Sequence, residues 1–91
     1  MSPRGQPVLR DQLERASLSI ALNIAEGAGR RSRPDKNRFY GIARGSTNEC
    51  AAIIDLLRVR GLASEASCNQ ARELLVRIVQ MLTRLQQRMA A

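Results

Sequence analysis

An apolar side chain recurs at every third or fourth position from Cys68 to Met89, and this spacing constrains the fold more than any other feature of the chain. The recurrence places a continuous apolar seam on one side of a helix, close to the heptad pattern of helices that pack along their length. Ser64 precedes the seam at a position suited to an N-cap, and Glu65 follows where the helix dipole favours negative charge. The pattern predicts a helix over residues 65–89.

The first part of the chain carries a second helical pattern. Pro7 suits the first turn of a helix, and Gly27 and Gly29 are typical of a helix end. Between them, apolar residues recur at helical spacing. These features predict a first helix over residues 7–26.

A middle helix is predicted over residues 34–60, starting near Pro34 with Ser32 or Arg33 at its cap and stopping at Gly61. The short link that follows makes the second and third helices an antiparallel hairpin. No segment shows the alternation of a strand. The fold class predicted is therefore all-α, an up-and-down antiparallel bundle of three helices that forms one domain over the whole chain.

The first helix has an unusual distribution of side chains, because a polar stripe runs between two apolar stripes. The polar stripe consists of Arg15, Ser19, Asn23 and Glu26. One flanking stripe holds Leu9, Leu13, Ala16, Ile20 and Ile24, and the other holds Leu18, Leu22 and Ala25. An ordinary surface helix has a single apolar stripe, so we expect this helix to be covered on two sides, with the polar stripe partly buried.

Partners for the polar stripe are expected on the second helix. Gly41, Gly45 and Ala52 form a row of small residues there, which predicts a close crossing with the first helix. The hypothesis is one structural hydrogen-bonded network of Asn23, Glu26, Ser46 and Glu49, and it would be wrong if Asn23→Ala left the thermal melt unchanged. Glu26 is expected to find its partner on another helix or another subunit. The alternative, acid–base chemistry by these carboxylates, is disfavoured.

The chain has a net charge of +7, with fifteen basic residues against eight acidic ones. A basic cluster surrounds the first loop and the start of the second helix: Arg30, Arg31, Arg33, Lys36 and Arg38. Positive charge is slightly unfavourable at the start of a helix. Something other than helix stability is therefore expected to account for the position of the basic cluster. Contact with the phosphates of RNA or DNA is the functional interpretation, and a solvated loop is the alternative.

The sequence lacks the residues that most catalytic and metal sites require. It has no histidine, and its two cysteines, Cys50 and Cys68, fall on apolar faces of different predicted helices. We therefore expect no enzymatic activity, no metal and no cofactor. No apolar run is long enough for a transmembrane helix, and none follows the first residues as in a signal peptide, so the cytosol is the expected location.

Two motifs carry a family resemblance. Residues 16–27 read ASLSIALNIAEG, which resembles the motif RAxxSIxxNIAEG of the bacterial four-helix-bundle proteins encoded in 23S ribosomal RNA intervening sequences. Residues 39–49 read FYGIARGSTNE, which is similar to the second motif of that family, FxxxAxGSxxE. The accessory variability determinant of diversity-generating retroelements is similar to this family as well.

The resemblance implies an antiparallel four-helix bundle that assembles as a ring-like homopentamer with a positively charged surface and no enzymatic activity. For the retroelement relatives it implies binding to nucleic acid and to a reverse transcriptase. Family members carry a further helix before the one that bears the first motif, and residues 1–6 resemble the loop that would follow it. A chain with three helices is expected to leave an apolar face open and to oligomerise.

The residues and the resemblance together leave two possible functions. The first is a non-catalytic oligomeric accessory protein that binds RNA, another nucleic acid or a ribonucleoprotein through its arginine-rich surface. The second is a structural or protein-interaction scaffold that has no nucleic-acid ligand.

Overall fold

The computed structural model describes residues 5–90 of the chain, and the regular structure within them is entirely helical. Helix α1 spans Gly5–Gly29, α2 spans Arg33–Val59 and α3 spans Glu65–Ala90. No strand occurs among these residues, so the all-helical fold predicted from the spacing is confirmed. Of the predicted loop at residues 1–6, the first four residues lie outside the described range, and the remaining two belong to α1.

Both ends of α2 follow the local chemistry of the sequence. Ser32 is the N-cap, and its hydroxyl accepts a hydrogen bond of 3.1 Å from the amide of Asp35. At the other end Gly61 has a φ of +70°, and the amide of Leu62 donates to the carbonyl of Leu57 at 2.9 Å. A residue with positive φ just past the helix favours glycine, which has no β-carbon to clash. The predicted cap and stop of this helix are confirmed.

The end of α1 differs from the prediction, because the helix continues past Gly27 to Gly29. Gly27 is needed for a close contact: a β-carbon at this position would lie 2.7 Å from Cε1 of Tyr40 in α2. In addition, Nζ of Lys36 donates to the carbonyl oxygens of Gly27, at 3.3 Å, and of Ala28, at 3.0 Å. Carbonyls in the last turn of a helix have no partner further along it, so a side chain of α2 caps α1.

The three helices occupy three corners of a square. Helix α2 packs against both neighbours, whereas no Cα of α1 lies within 8 Å of a Cα of α3 among the described residues. The Cα envelope measures 49 × 20 × 13 Å. For axes about 9–10 Å apart, a flat row of three helices would measure about 24 × 5 Å in cross-section, and three corners of a square about 18 × 11 Å. The observed cross-section of 20 × 13 Å fits the square arrangement. The fourth corner of the square lies beside α1 and α3 and holds no helix of the described residues, and we call it the open corner.

The core is built from small and aliphatic side chains of all three helices. Its fully or nearly fully buried apolar members are Ala16, Ile20, Tyr40, Ala43, Cys50, Ile53, Cys68 and Leu82. The two cysteines are free thiols, as expected of small buried apolar residues. Within residues 5–90, no helix has an apolar stretch long enough to cross the hydrocarbon core of a bilayer.

Several apolar side chains remain uncovered by this arrangement. Leu18 and Leu22, on the second apolar stripe of α1, are 58% and 56% exposed. On the seam of α3, Leu74 is 58% exposed, although Cys68 and Leu82 on the same seam are buried. The expected cover on two sides of the first helix is therefore present on one side only within a single chain.

Candidate nucleic-acid interface

The end of α1 meets the start of α2 at residues 26–40, which we call the joint between α1 and α2. There the ring of Phe39 contacts two arginines of the basic cluster. The guanidinium carbon of Arg30 lies 4.7 Å from the ring centroid, and that of Arg38 lies 4.4 Å from it. Both distances are within the range of cation–π attraction. Arg30 also donates to Oε2 of Glu26 at 3.0 Å. One half-buried ring thus keeps two positive groups close together at the surface.

The five members of the basic cluster have different environments. All four arginines, Arg30, Arg31, Arg33 and Arg38, are exposed, and Arg30 pairs with the carboxylate of Glu26. Lys36 is half-buried, and its ammonium group faces the backbone carbonyls at the end of α1. We therefore assign Lys36 to the joint between the helices, and the four arginines to the candidate interface.

A mid-plane divides the molecule into two halves along its long axis. Ser19 of α1 and Ser46 of α2 share a hydrogen bond of 2.7 Å. Contacts of α2 with α3 at Gly41–Gln86 and Asp55–Arg72 set Thr47 about level with Val79. These residues stand at about the same height on their helices. We call residues 20–46 and 79–90 the basic end, and residues 7–19 and 47–78 the neutral end.

The net charge of the described residues lies entirely at the basic end. That end has eight basic and two acidic residues: Arg30, Arg31, Arg33, Lys36, Arg38, Arg44, Arg84, Arg88, Glu26 and Asp35. The neutral end has six basic and six acidic residues: Arg10, Arg15, Arg58, Arg60, Arg72, Arg77, Asp11, Glu14, Glu49, Asp55, Glu65 and Glu73. Eight minus two gives a formal +6, and Arg4, outside the described residues, completes the +7 of the chain.

Ion pairs follow the same division. At the neutral end, Nη1 of Arg72 lies 2.7 Å from Oδ1 of Asp55, and Arg58 approaches Glu65 at 3.9 Å. At the basic end, Arg30 pairs with Glu26. With eight basic residues against two acidic ones, this end keeps an excess of positive charge, and the field there favours a polyanion.

The polar stripe of α1 forms a smaller network than predicted. Nδ2 of Asn23 donates to the backbone oxygen of Ser19 at 2.8 Å and lies 3.1 Å from its hydroxyl, which is bonded to Ser46. Glu26 pairs with Arg30, four residues further along the chain, and not with a residue of another helix. A partner for Glu26 on another subunit stays a prediction. Glu49 is exposed and stands outside the network.

The other member of the stripe, Arg15, is exposed and also lies outside this network. The predicted crossing at the row of small residues is wrong as well. A β-carbon on Gly41 would meet Nε2 of Gln86 in α3 at 3.1 Å, and one on Gly45 would meet nothing within 4 Å. The row therefore faces α3 and solvent rather than α1.

Sequence reasoning missed the part that Phe39 plays. A signal was present, since Phe39 directly follows Arg38 and is one of only two aromatic residues in an arginine-rich chain. The other aromatic residue, Tyr40, is buried against Gly27 and is not available to a ligand.

The family model described as 23S rRNA-intervening sequence protein matches residues 3–84. No curated protein matches the chain.

Proposed function

The chain belongs to the 23S rRNA-intervening sequence protein family, and on that premise we propose that it is a non-catalytic, oligomeric accessory protein that binds RNA through its basic end. The observation that carries the proposal is the confinement of the net charge to one end of the molecule. A cluster of arginines gives sequence-independent, salt-sensitive affinity for a phosphate backbone. The name of the family refers to ribosomal RNA, which favours RNA among polyanions. The cytosol is the location that suits this role.

The arrangement of the arginines supports contact with the backbone rather than with bases. One guanidinium group can donate two parallel hydrogen bonds to two oxygens of a phosphate. The ring of Phe39 already carries Arg30 and Arg38, and Tyr40 is buried, so neither ring offers a free face for base stacking. Recognition would then depend on charge and on the shape of a structured RNA.

A salt series with two matched charge variants tests the proposal. Binding of a labelled mixed RNA pool is measured by fluorescence anisotropy from about 50 to 300 mM salt. The first variant replaces three exposed arginines of the basic end, Arg31, Arg33 and Arg38, by glutamine. The control replaces three exposed arginines of the neutral end, Arg10, Arg60 and Arg77, by glutamine, which gives the same net charge.

The two variants should differ in their dependence on salt. Each phosphate contact contributes about 0.7–0.9 to the slope of log affinity against log salt, so the basic-end variant should lose about 2 from that slope. The control should lose less than about 1. Equal losses in both variants would show a response to net charge alone, and no binding by the wild type at about 50 mM salt would reject RNA binding.

The second candidate function is a protein-interaction scaffold without a nucleic-acid ligand. It is favoured by the exposed apolar side chains, Leu18 and Leu22 on α1 and Leu74 on α3. Such side chains on a small domain are typical of a contact with another protein. A wild type that self-associates but does not bind RNA at low salt would support this candidate over the first.

A further inference from the structure

A groove runs between α2 and α3 on the side of the molecule that faces away from α1. Its wall on α2 consists of Asn37, Gly41, Arg44 and Asn48. At about 100° per residue, these four positions lie on one strip of the helix, roughly opposite Ser46, whose hydroxyl bonds to α1. The contact between α2 and α3 therefore separates this groove from the open corner, and we call it the outer groove.

The outer groove is polar where it crosses the basic end. One surface depression there is lined by Asn37, Arg44, Thr83, Gln86, Gln87 and Ala90. An adjoining depression shares Thr83 and Gln87 and adds Arg84. Arg44 and Arg84 are both exposed. Uncharged amide groups therefore stand beside two arginines of the basic end.

Two amide oxygens in the first depression have no hydrogen-bond partner among the described residues. They are Oδ1 of Asn37 and Oε1 of Gln86, and both point inward, with almost no surface open to solvent. Buried polar atoms in folded proteins nearly always have a partner, because an unmade hydrogen bond costs free energy. Two such acceptors in one depression point to donors that come from outside the chain.

The two amides are placed so that a ligand could engage them. The amide of Gln86 lies over Gly41, where a β-carbon would stand 3.1 Å from Nε2, so the glycine leaves room for it. Rotation about the last torsion of either side chain brings its oxygen to the mouth of the depression, since that torsion is broad. The best ligand therefore carries a hydrogen-bond donor close to an anionic group, which Arg44 would bind.

We propose that the outer groove binds the ribose edge of RNA. Ribose 2′-hydroxyl groups donate hydrogen bonds to Oδ1 of Asn37 and Oε1 of Gln86, while Arg44 and Arg84 contact the neighbouring phosphates. The inference rests on the proposed RNA binding and adds to it a means of preferring RNA to DNA, whose sugar lacks this donor. A-form RNA displays its 2′-hydroxyl groups in a wide, shallow minor groove, which side chains at a protein surface can reach.

A comparison of RNA with 2′-fluoro RNA tests the proposal. A pool of hairpins with randomised stems is made once with ordinary ribose and once with 2′-fluoro ribose. Both pools have the same phosphates and an A-form stem, but fluorine cannot donate a hydrogen bond. Fluorescence anisotropy at one low salt concentration gives the affinity of the full chain for each pool.

Three variants with unchanged net charge accompany the wild type. Asn37→Leu and Gln86→Met keep roughly the size of each side chain and remove its amide. The matched control is Gln70→Met, which removes an exposed amide of α3 at the neutral end. The double variant combines the changes at Asn37 and Gln86.

The wild type should bind the RNA pool at least about fourfold more tightly than the 2′-fluoro pool, since each of two hydrogen bonds is worth about two- to tenfold. Asn37→Leu and Gln86→Met should each reduce this ratio at least about twofold, and the double variant should bind both pools equally. Gln70→Met should keep the wild-type ratio. Affinity for the 2′-fluoro pool should be the same in all variants, because the phosphate contacts are unchanged.

The outcomes separate this inference from RNA binding itself. Equal wild-type affinities for the two pools, or a preference that survives in the double variant, would overturn the inference and leave RNA binding in place. No binding of either pool would overturn both. The comparison of pools on the wild type needs no variant, so it decides the matter even if a variant does not fold.

Thermal melts without RNA test whether the two amides instead bond to each other. In that case each single variant would lower the melting temperature, the double variant would lower it little further, and the inference would be overturned. If the oxygens have no partner in the free chain, the melting temperature of both variants should be unchanged or higher, because an apolar side chain loses nothing there.

Discussion

Gly27 of α1 lies so close to Tyr40 of α2 that a β-carbon on the glycine would stand 2.7 Å from Cε1 and 2.9 Å from Cδ1 of the ring. The same β-carbon would lie 3.3 Å from the backbone oxygen of Lys36. Real β-carbons essentially never lie within 3.0 Å of another heavy atom, as this one would lie from two ring atoms, because repulsion rises steeply below contact distance. The approach to the Lys36 oxygen would also be tight. The two helices meet here without room for any side chain, and this contact fixes the distance between them at the basic end.

Gly27→Ala should therefore destabilise the fold. Alanine is favoured over glycine inside a helix by about 1 kcal/mol, but the clash with a buried ring should outweigh that gain and lower the free energy of unfolding by about 1–3 kcal/mol. Gly45→Ala is the matched control, since a β-carbon there meets nothing within 4 Å. It should raise the free energy of unfolding by about 0.5–1 kcal/mol. Urea unfolding followed by circular dichroism measures both, and a stabilised Gly27→Ala protein would contradict the close packing.

The network between α1 and α2 should contribute to stability through its serine pair. Ser46→Ala removes the partner of the Ser19 hydroxyl at a buried position and should cost about 1 kcal/mol, with a smaller loss for Asn23→Ala. Combining Ser46→Ala with Ser19→Ala should cost less than the sum of the single changes, because the two hydroxyls interact. Glu49→Ala, at an exposed position, should stay within about 0.5 kcal/mol of the wild type. Thermal melts that show Asn23→Ala to be neutral would remove the amide from the network.

Phe39→Leu tests whether the ring matters for RNA binding apart from charge. The net charge is unchanged, but Arg30 and Arg38 lose the ring that holds them. Each exposed cation–π contact is worth about 0.5–1 kcal/mol, so the affinity at low salt should fall about two- to fivefold. The salt slope should change little, since the number of phosphate contacts is the same. An unchanged affinity in a folded variant would show that the ring does not organise the interface.

Lys36→Met should destabilise the last turn of α1 without leaving a cavity at the position of the side chain. The aliphatic part of the side chain is kept, while the bonds to the carbonyls of Gly27 and Ala28 are lost. A hydrogen bond from a charged group at a partly exposed position contributes about 1 kcal/mol, so the free energy of unfolding should fall by about that amount. Hydrogen exchange should become faster for amides in the last turn of α1. Lys36→Arg keeps the charge and should recover part of the loss, and equal losses in the two variants would argue against capping by charge.

The helix ends that depend on neighbouring residues could be predicted from the sequence. Ser32 caps α2 through an amide three residues away, and Gly61 takes the positive φ that ends the same helix. The end of α1 could not be predicted in this way. The end of α1 depends on Tyr40 and Lys36, which contact it from α2. A glycine in a sequence does not show whether it ends a helix or allows close packing of another helix.

The candidate interface was predictable to the extent that it is local. The arginines from Arg30 to Arg38 are close in the sequence, and they are close in the structure. Arg84 and Arg88 join the same end only because α3 runs antiparallel to α2. The row of Gly41 and Gly45 was misassigned for a related reason: helical spacing shows which residues share a face, but it does not show which neighbour that face meets.

The joint between α1 and α2 also determines how the protein responds to chemistry aimed at amines. Lys36 is the only lysine in the sequence, and its ammonium group is already engaged at the end of α1. Acetylation, or any reagent that acylates lysine, would thus find a single side-chain target and would remove its charge together with the cap. A modification of this kind would act on the contact between α1 and α2. The arginines of the basic cluster would keep their charge.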